Sequence, residues 1–443
     1  MLLPGDPAPY FKARSTVNPQ FNFDTVAGRY IVLSFFGSSR LPASEALLNA
    51  IVERGERFDV TNVIFFGVTS DPEDLERIRH QDNGRIYFFD LDLNISRLYG
   101  VVGEPAGDDA ARTLTPTTFI LDPALRVVAI IPTGADVAGA VGAIFSLLDA
   151  LRAPYAAATP PPVLIVPYVF EPELCQRLID YYESKGGEDS GFMRDVGGRT
   201  VGLLDYSHKR RMDCEITDVD LVRAAQERIK RRVVPAIRHA YQFNVTRIER
   251  HIIACYDAEQ GAHFRAHRDN TTLGTAHRRF AITINLNAPD YEGGEIRFPE
   301  FGPQLYKAAS GAAIVFSCSL LHEVPKVTRG KRYAFLPFLY DDAAAAIRER
   351  NRKHLGDLTG ATGGGGPVTH VCDSPAAADV GAGRTGPVKL RIDGSAGCGN
   401  PEGCQTCLTS ATYPLGAPAE PASAAGQTVN TEAETSHERD RGR

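Results

Sequence analysis

Cysteine and long apolar runs are scarce in this sequence. None of the 8 cysteines precedes Cys175, so the first third of the chain has no thiol for nucleophilic or redox chemistry. No apolar run reaches the roughly 18 residues that a membrane-spanning helix needs. The start, MLLPGDPAPYF, has no basic segment ahead of an apolar one. We therefore expect no membrane association, no secretory leader and a cytoplasmic protein with reduced thiols.

An excess of basic residues is also missing. The 443 residues include 48 Lys and Arg against 54 Asp and Glu, which gives a formal net charge of -6. Nonspecific nucleic-acid binding needs clustered basic side chains, so we expect no nucleic-acid partner. The composition, 43% hydrophobic and 23% charged, is typical of globular proteins, and the length allows two or three domains.

Shifts in composition divide the chain into four segments. Residues 1–151 alternate β-rich runs with helix-like stretches, which predicts an α/β layer fold. Residues 152–162, RAPYAAATPPP, predict a Pro-rich linker. Residues 163–342 contain helix-like stretches and then a succession of short strands, which favours a sandwich or barrel. Residues 343–443 predict a short helix followed by a mostly disordered low-complexity tail.

The stretch HFRAHRDN, residues 263–270, contains a candidate metal-binding pair. Side chains alternate faces along a strand, so His267 and Asp269 are predicted to project to the same side. His322, which follows the apolar strand AAIVFS, is the candidate third ligand. Two imidazoles and one carboxylate leave coordination positions open, the arrangement associated with non-haem Fe(II) oxygenases. We therefore predict a catalytic metal site at these three residues.

Arg332 is the candidate anchor for an anionic cosubstrate. It begins the strand RYAFLPFLY and shares a face with the apolar residues Ala334 and Leu336. A guanidinium on such a face needs an anionic partner, and its planar fork matches a carboxylate. The sequence therefore indicates a cosubstrate that carries a carboxylate.

Four motifs in order give this region a resemblance to a known family. The motifs are ACYDAEQGAHFRAHRDN, RFAITINLN, EGGEIRFPEFG and LLHEVPKVTRGKRYAF. Across residues 163–342 the sequence resembles the double-stranded β-helix (jelly-roll) domain of the Fe(II)- and 2-oxoglutarate-dependent dioxygenases, in their prolyl 4-hydroxylase-like branch. The resemblance implies that the three candidate ligands bind Fe(II). It also implies that 2-oxoglutarate is bound by Arg332, Tyr256 and Asn285.

The resemblance also implies a reaction. In this family, O2 and 2-oxoglutarate react at the metal, 2-oxoglutarate is decarboxylated to succinate, and a C–H bond of the substrate is hydroxylated. The substrates include protein or peptide side chains and small molecules, and we expect a protein or peptide side chain here. Ascorbate is a candidate reductant.

The basic run HKRRMD lies in residues 197–213, a loop or lid candidate over the pocket. Lys209, Arg210 and Arg211 are available there to meet an acidic partner. We prefer the interpretation that they form a solvated basic turn.

The first segment has a resemblance of its own. The runs GDPAPYFKARS, RYIVLSFFGSSRLPASEALLNAI and LTPTTFILDPALRVV resemble the thioredoxin-like fold of peroxiredoxins. Pro116 is at the position where such folds place a cis-proline. The stretch where the peroxidatic Cys is expected reads SSRLPAS, and a serine hydroxyl does not replace a low-pKa thiolate. We therefore predict a non-catalytic module for docking, substrate presentation or homodimerisation.

Two other functions and one further metal site stay open at this level. One alternative is a non-catalytic two-domain binding or scaffold protein. The other is a cupin-like metal enzyme that does not use 2-oxoglutarate, for which Arg332 has no evident purpose. In the tail, four cysteines could bind zinc, although disorder is the preferred interpretation; they are Cys372, Cys398, Cys404 and Cys407.

Overall fold

The computed structural model describes residues 2–78, 84–103, 113–134, 136–151 and 159–355. Most of the predicted linker 152–162 and the tail beyond residue 355, with its four cysteines, lie outside the described residues. All the described residues belong to one compact unit.

The first segment is an α/β layer structure. Its strands are β1 (Lys12–Ala13), β2 (Phe21–Asn22), β3 (Tyr30–Gly37), β4 (Val63–Thr69), β5 (Arg85–Phe89), β6 (Thr117–Leu121) and β7 (Val127–Pro132). Its helices are α1 (Pro42–Glu53), α2 (Asp74–Arg77), α3 (Asn94–Leu98) and α4 (Val137–Ala150). The main sheet has the order β5-β4-β3-β6-β7, with β3, β4 and β5 parallel and β6 and β7 antiparallel. The predicted thioredoxin-like α/β fold is confirmed.

The alternation of side chains along β3 explains why both faces of this sheet are covered. Ile31, Leu33 and Phe35 pack into one core, and Val32 and Phe36 pack into the core beneath α1 and α4. A strand buried on both faces needs a nearly continuous apolar run, as in YIVLSFFG.

The expectation of a cis peptide bond at Pro116 was wrong. The described residues contain no cis peptide bond, and Pro116 leads directly into β6 through trans peptides. Its carbonyl accepts a hydrogen bond from Thr133 N at 2.9 Å, which ties it to the end of β7.

The second segment is an antiparallel β-sandwich with helices on one side. Its strands are β8 (Leu164–Val166), β9 (Glu188–Asp189), β10 (Phe192–Val196), β11 (Arg199–Leu203), β12 (Lys209–Arg210), β13 (Met212–Glu215), β14 (Arg247–Glu249), β15 (Ile252–Asp257), β16 (His263–His267), β17 (Phe280–Asn285), β18 (Glu292–Gly293), β19 (Ile296–Arg297), β20 (Leu305–Tyr306), β21 (Ala313–Ser317), β22 (His322–Val324), β23 (Val327–Arg329), β24 (Lys331–Phe335) and β25 (Phe338–Tyr340). Its helices are α5 (Pro172–Lys185), α6 (Val219–Arg228), α7 (Val234–Tyr241) and α8 (Asp342–Asn351).

Two sheets form the sandwich. The larger follows the order β14-β25-β17-β24-β15-β13-β9, with β21 attached to β17 and β8 attached to β21, and the smaller follows β12-β16-β22-β19-β20. Helices α5, α6 and α7 cover the outer face of the larger sheet through residues such as Leu178, Leu221 and Ile237. The inner faces of the two sheets are left to form the interior of the sandwich. The predicted double-stranded β-helix architecture with flanking helices is confirmed.

The helical stretch that contains Pro235 is divided into two helices. A wide π-helical turn, Ile229–Val233, separates α6 from α7, and Pro235 lies in the first turn of α7. Proline has no N–H to donate, so the regular hydrogen-bond ladder cannot run through it.

The two segments are in direct contact. Leu321, next to β22, is fully buried in the core of the first segment, and Arg194 donates a hydrogen bond of 3.0 Å to Asn18. Gly28 lies so close to Pro299 that a Cβ atom there would be 2.7 Å from the proline Cβ. Among the described helices, none has the length and apolarity to cross a bilayer.

Gly311 offers a test of how tightly the sandwich is closed. Its φ is +75°, and it donates to Asn285 O and accepts from Phe170 N, which joins β17 to the segment before α5. An added Cβ would be 2.1 Å from Phe170 O. We expect Gly311→Ala to lower the free energy of unfolding by about 2 kcal/mol or more, because strain and overlap add.

Gly197 is the matched control, since its φ is +58° and nothing lies within 4 Å of an added Cβ. Gly197→Ala should cost only the backbone term of about 1 kcal/mol. The comparison is made by thermal unfolding of both variants. Equal melting temperatures for the two would contradict the close contact.

Candidate metal centre

Three side chains converge between β16 and β22. His267 ends β16, Asp269 lies two residues beyond it, and His322 begins β22. The two strands pair antiparallel with His267 directly opposite His322. Nε2 of His267 is 3.6 Å from Asp269 Oδ1, and Nε2 of His322 is 3.4 Å from Asp269 Oδ2. One ligand atom from each residue lies within 4.8 Å of the others, so a single ion can contact all three.

The imidazoles are oriented for metal binding. Nδ1 of His267 is 2.8 Å from Arg265 O, and Nδ1 of His322 is 3.0 Å from Leu320 O. A carbonyl only accepts, so each Nδ1 carries the proton and each Nε2 presents a lone pair. Burial, and then the neighbouring His322, lower the pKa of His267 well below its usual value. The two imidazoles and the carboxylate fit Fe(II) with positions left open.

The structure brings His267 and Asp269 together in a different way from the prediction. Asp269 was expected to share a strand with His267, but β16 ends at His267 and Asp269 follows in a turn. The pairing of β16 with β22 also contains an extra residue between Phe264 and His267. This bulge brings the rings of Phe264 and His267 to one face, where they stack with centroids 3.5 Å apart. It leaves Arg265 exposed. Strict alternation therefore fails in this segment.

Arg332 lies in the same interior, on β24 of the larger sheet. Its side chain is buried, its Nη2 donates to Thr283 Oγ1 at 2.9 Å, and its Nε is 3.3 Å from Asn285 Oδ1. Its Nη1 makes no well-formed hydrogen bond within the described part of the chain, and the buried hydroxyl of Tyr291 lies beside the same guanidinium. Buried donors in native proteins rarely lack an acceptor. The free Nη1 therefore indicates a ligand oxygen at this position.

The structure brings Tyr256 and Asn285 to Arg332 in different ways. The ring of Tyr256 lies 5.1 Å from the guanidinium carbon of Arg332, and its hydroxyl accepts from Arg211 at 3.3 Å. Asn285 uses its Oδ1 on Arg332 and donates through Nδ2 to Ala308 O at 2.8 Å. Asn285 thus orients the guanidinium, whereas Tyr256 faces the cavity.

A cavity of about 920 Å³ joins these features. Its walls include the three candidate ligands, Tyr256 and Arg332. The first segment also contributes to its walls; the residues are Asn18, Gln20, Phe21, Asn22, Asp24 and Thr25. The candidate site is therefore built from both halves of the chain.

The preferred interpretation of residues 209–211 as a solvated turn was wrong. Lys209 and Arg211 are buried and line the cavity, and only Arg210 is exposed. Lys209 pairs with Phe264 between β12 and β16. The segment is therefore a strand at the edge of the smaller sheet and not a loop. The period of two in KRR could have shown that the first and third residues share a face.

Two contributions to the site were missed in the sequence. Asp213 forms ion pairs with Arg211 and Arg250 beside the site, and residues 18–25 form part of the cavity wall. No local pattern marks Arg250, whose φ of +69° interrupts the run RIERHIIACYD between β14 and β15. The contribution of the first segment depends on contacts between the two halves, which no motif records.

The serines that replace the expected thiol have structural partners. Ser38 Oγ donates to Asp71 at 2.6 Å, Ser39 Oγ donates to Asp74, and Ser44 Oγ donates to Phe36 O at 2.8 Å. None of these acceptors is a histidine placed to remove the proton. The loop after β3 is therefore held as structure, without a nucleophile.

Two family models match the chain. Residues 251–340 match the 2OG-Fe(II) oxygenase superfamily, and residues 4–130 match the AhpC/TSA family. The first match spans β15 to β25, with all three candidate ligands and Arg332.

Relatives of the oxygenase region share short stretches. A PKHD-type hydroxylase of Synechococcus sp. (strain JA-2-3B'a(2-13)) is 39% identical over 89 residues, which cover 19% of this chain and 39% of the relative. A PKHD-type hydroxylase of Caulobacter sp. (strain K31) is 45% identical over 69 residues, 15% of this chain and 30% of the relative. The chain thus covers well under half of these relatives.

Two solved structures are similar to separate halves. Peroxidoxin BcpB from Mycobacterium tuberculosis has a TM-score of 0.30 and 16% identity, with 34% of this chain and 100% of that one covered. The viral collagen prolyl hydroxylase of Paramecium Bursaria Chlorella virus-1 also has a TM-score of 0.30 and 16% identity, with 40% and 94% covered.

Asp213 gives a test of the buried charges beside the site. Burial opposes its ionisation, but Arg211 and the two neighbouring cations outweigh burial and hold the pKa of this carboxyl well below its usual range. A depressed pKa stabilises the fold above the unfolded pKa of about 3.9, and the effect is lost as the pH falls further. We expect Asp213→Asn to lower the free energy of unfolding by about 3–5 kcal/mol at neutral pH.

Urea unfolding at pH 8, 6 and 3 measures this effect. The difference between wild type and variant should be equal at pH 8 and 6 and smaller at pH 3. Asp220→Asn is the control, because Asp220 is 81% exposed and pairs only with Arg223 at 3.3 Å. A loss no larger than that of the control would show that the carboxylate is not required.

Proposed function

Because the second half of the chain carries a 2OG-Fe(II) oxygenase domain and the first half an AhpC/TSA-type domain without the peroxidatic cysteine, we propose that this protein is an Fe(II)- and 2-oxoglutarate-dependent hydroxylase. One observation carries the proposal. Two imidazoles and a carboxylate meet in one cavity with a buried guanidinium whose Nη1 makes no well-formed hydrogen bond among the described residues. A metal with open positions and an anionic cosubstrate satisfy both features at once.

The residues of the site have two different binding roles. His267, Asp269 and His322 would hold Fe(II), and Arg332, oriented by Thr283 and Asn285, would hold the distal carboxylate of 2-oxoglutarate. When bound, Fe(II) with 2-oxoglutarate and O2 supplies the oxidation that hydroxylates a C–H bond and yields succinate and carbon dioxide.

The protein groups position and exclude water. Phe264 packs against His267, and Phe316 packs against His322 with ring centroids 4.7 Å apart. These contacts fix the imidazole planes and leave one side of the centre to the cavity. We infer that the substrate is a protein or peptide side chain, since the cavity is large and opens to residues of both halves. The names of the relatives, PKHD-type hydroxylase and collagen prolyl hydroxylase, are consistent with hydroxylation.

The alternatives make different demands on the same residues. In a scaffold protein, the orientation of His267 and His322 around Asp269 would have no function. A cupin-like metal enzyme without 2-oxoglutarate would use the triad but not Arg332. The oriented triad and the free Nη1 of Arg332 together favour the oxygenase.

We expect purified protein with Fe(II), O2 and 1-¹⁴C-labelled 2-oxoglutarate to release labelled carbon dioxide. Asp269→Ala and His322→Ala should lower that rate by at least about 100-fold, because even the loss of an outer-shell partner of a metal ligand costs 10–100-fold. His263→Ala is the control, since His263 begins the same strand but makes only backbone contacts, to Gly261 O and Ser207 O. Equal release by the ligand variants would contradict the metal site.

Arg332→Ala separates the oxygenase from the cupin-like alternative. Because the guanidinium would lose its carboxylate partner, the variant should raise the KM for 2-oxoglutarate by at least about tenfold, as the loss of a charged hydrogen bond does. Its Fe(II) affinity, measured by anaerobic titration, should stay unchanged. An unchanged KM would contradict the role of Arg332, and activity that is independent of both Arg332 and 2-oxoglutarate would favour the cupin-like enzyme.

A further inference from the structure

The cavity wall includes a cluster of three basic side chains around Asp213. Lys209 lies on β12, Arg211 lies between β12 and β13, and Arg250 lies between β14 and β15. Lys209 is 5% exposed and Arg211 4% exposed, so both are withdrawn from water. Charged side chains at such burial normally have opposite charges as partners.

Among the described residues, Asp213 is the carboxylate that accepts hydrogen bonds from this cluster. Arg211 donates to both oxygens of Asp213 at 2.6 Å, and Arg250 donates to Oδ2 at 3.0 Å. Lys209 Nζ donates to two neutral acceptors, Ser190 Oγ and Gly191 O, each at 2.6 Å. The cluster therefore has three basic side chains and one carboxylate.

The other charges of the cavity do not restore the balance. Arg278 is paired with Glu249 at 2.8 Å, and Asp24 is paired with Arg268 at 2.8 Å. In the proposed function, 2-oxoglutarate matches Arg332 and the metal matches Asp269. Of the remaining carboxylates of the wall, Glu188, Asp205 and Glu215 are exposed and Asp189 is half-buried.

The cluster is adjacent to the metal centre. The ring of Phe264 stacks on His267, and Lys209 Nζ is 4.9 Å from the centre of that same ring. Burial, with Arg211 second, lowers the pKa of Lys209 well below its usual value, which an anion in contact would reverse. Arg250 keeps a φ of +69°, a strained conformation for a residue with a side chain.

We propose that Lys209, Arg211 and Arg250 form a binding site for an anionic group of the substrate that is hydroxylated. This inference rests on the proposed function and adds the substrate class. The group would be a carboxylate or a phosphate, held one aromatic ring away from the metal centre. The oxidised C–H bond then lies near the anion in the substrate.

Pairs of small probes that differ only in charge test the inference. The pairs are N-acetyl-aspartate amide with N-acetyl-asparagine amide, N-acetyl-proline with its amide, and N-acetyl-phosphoserine amide with N-acetyl-serine amide. They distinguish a side-chain carboxylate, a chain terminus and a phosphate. The readouts are melting temperature of the protein loaded with Mn(II) and 2-oxoglutarate, and succinate formation with Fe(II).

We expect the anionic member of at least one pair to raise the melting temperature and stimulate succinate formation, and the neutral member to do neither. Lys209→Met should abolish that difference. Arg210→Met is the matched control, because Arg210 is the exposed neighbour on the same strand and should keep the difference. Arg250→Gln gives a second variant should Lys209→Met fail to fold.

Equal effects of both members of every pair, or no effect of any probe, would overturn the anion site. The proposed function is judged separately, by release of carbon dioxide from 2-oxoglutarate without a probe. If the protein releases carbon dioxide but responds equally to charged and neutral probes, the anion site is rejected and the proposed oxygenase activity is retained.

A second inference comes from the contact between the two halves. Arg268 lies between His267 and Asp269 in the chain and is 7% exposed. Its Nε donates to Asp24 of the first segment at 2.8 Å, and its Nη2 donates to Glu300 at 2.8 Å. The residue between two candidate ligands is thus fixed by a carboxylate from the other half.

The third candidate ligand has a similar connection. Leu321, which precedes His322, is fully buried in the apolar core of the first segment, and its N donates to Glu300 at 3.0 Å. Ala266, which precedes His267, packs against that same core. The structure assigns the first segment the role of positioning the metal ligands, in place of a redox role of its own.

Titration with Co(II), followed by its visible absorption, tests this role without turnover. Because Asp24 holds Arg268, we expect Asp24→Asn to weaken Co(II) binding several-fold and to change the spectrum, and Asp24→Glu to restore both. Glu45→Gln is the control, since Glu45 is exposed on α1. Unchanged affinity and spectrum in Asp24→Asn would overturn the positioning role.

Discussion

The antiparallel pairing of β16 with β22 is the constraint on which the site depends. It sets His267 opposite His322 and lets the turn after β16 bring Asp269 to both. Two backbone carbonyls fix the protonated nitrogen of each ring, so the donor atoms are presented before any ion arrives. The larger sheet then needs to add only Arg332, which it does from the opposite wall of the sandwich. Each wall contributes one kind of chemistry.

Charge is distributed unevenly through the interior. The chain as a whole is acidic, yet its central cavity concentrates buried cations around one carboxylate. Such an arrangement is costly for an empty protein and is relieved by anionic ligands. A mildly negative surface with a positive interior would draw small anions past the rim by short-range pairing, without long-range attraction to polyanions.

Much of the fold and the chemical centre could be predicted from the sequence, because both depend on local patterns. The period of two in β17 separates the core residues from Thr283 and Asn285. Arg332, which was predicted from its position after His322, lies in the same cavity as that ligand. The position of Asp269 outside the strand was missed, because a bulge leaves no mark in composition. Lys209 and Arg211 were assigned to solvent, because burial of a charge depends on partners such as Asp213 and Ser190. The wall formed by residues 18–25 required the contact between halves.

The bulge in β16 also limits how this segment can vary. Three residue steps from Phe264 to His267 match two steps on β22, so one residue is absorbed without a partner. Inserting a residue there would move the imidazole out of register with His322, whereas deleting the unpaired residue would leave two steps on β16 against two on β22 and keep the two histidines opposite each other. This stretch can therefore lose its unpaired residue more easily than it can gain another, because only a gain separates the imidazole from its partner across the sheet.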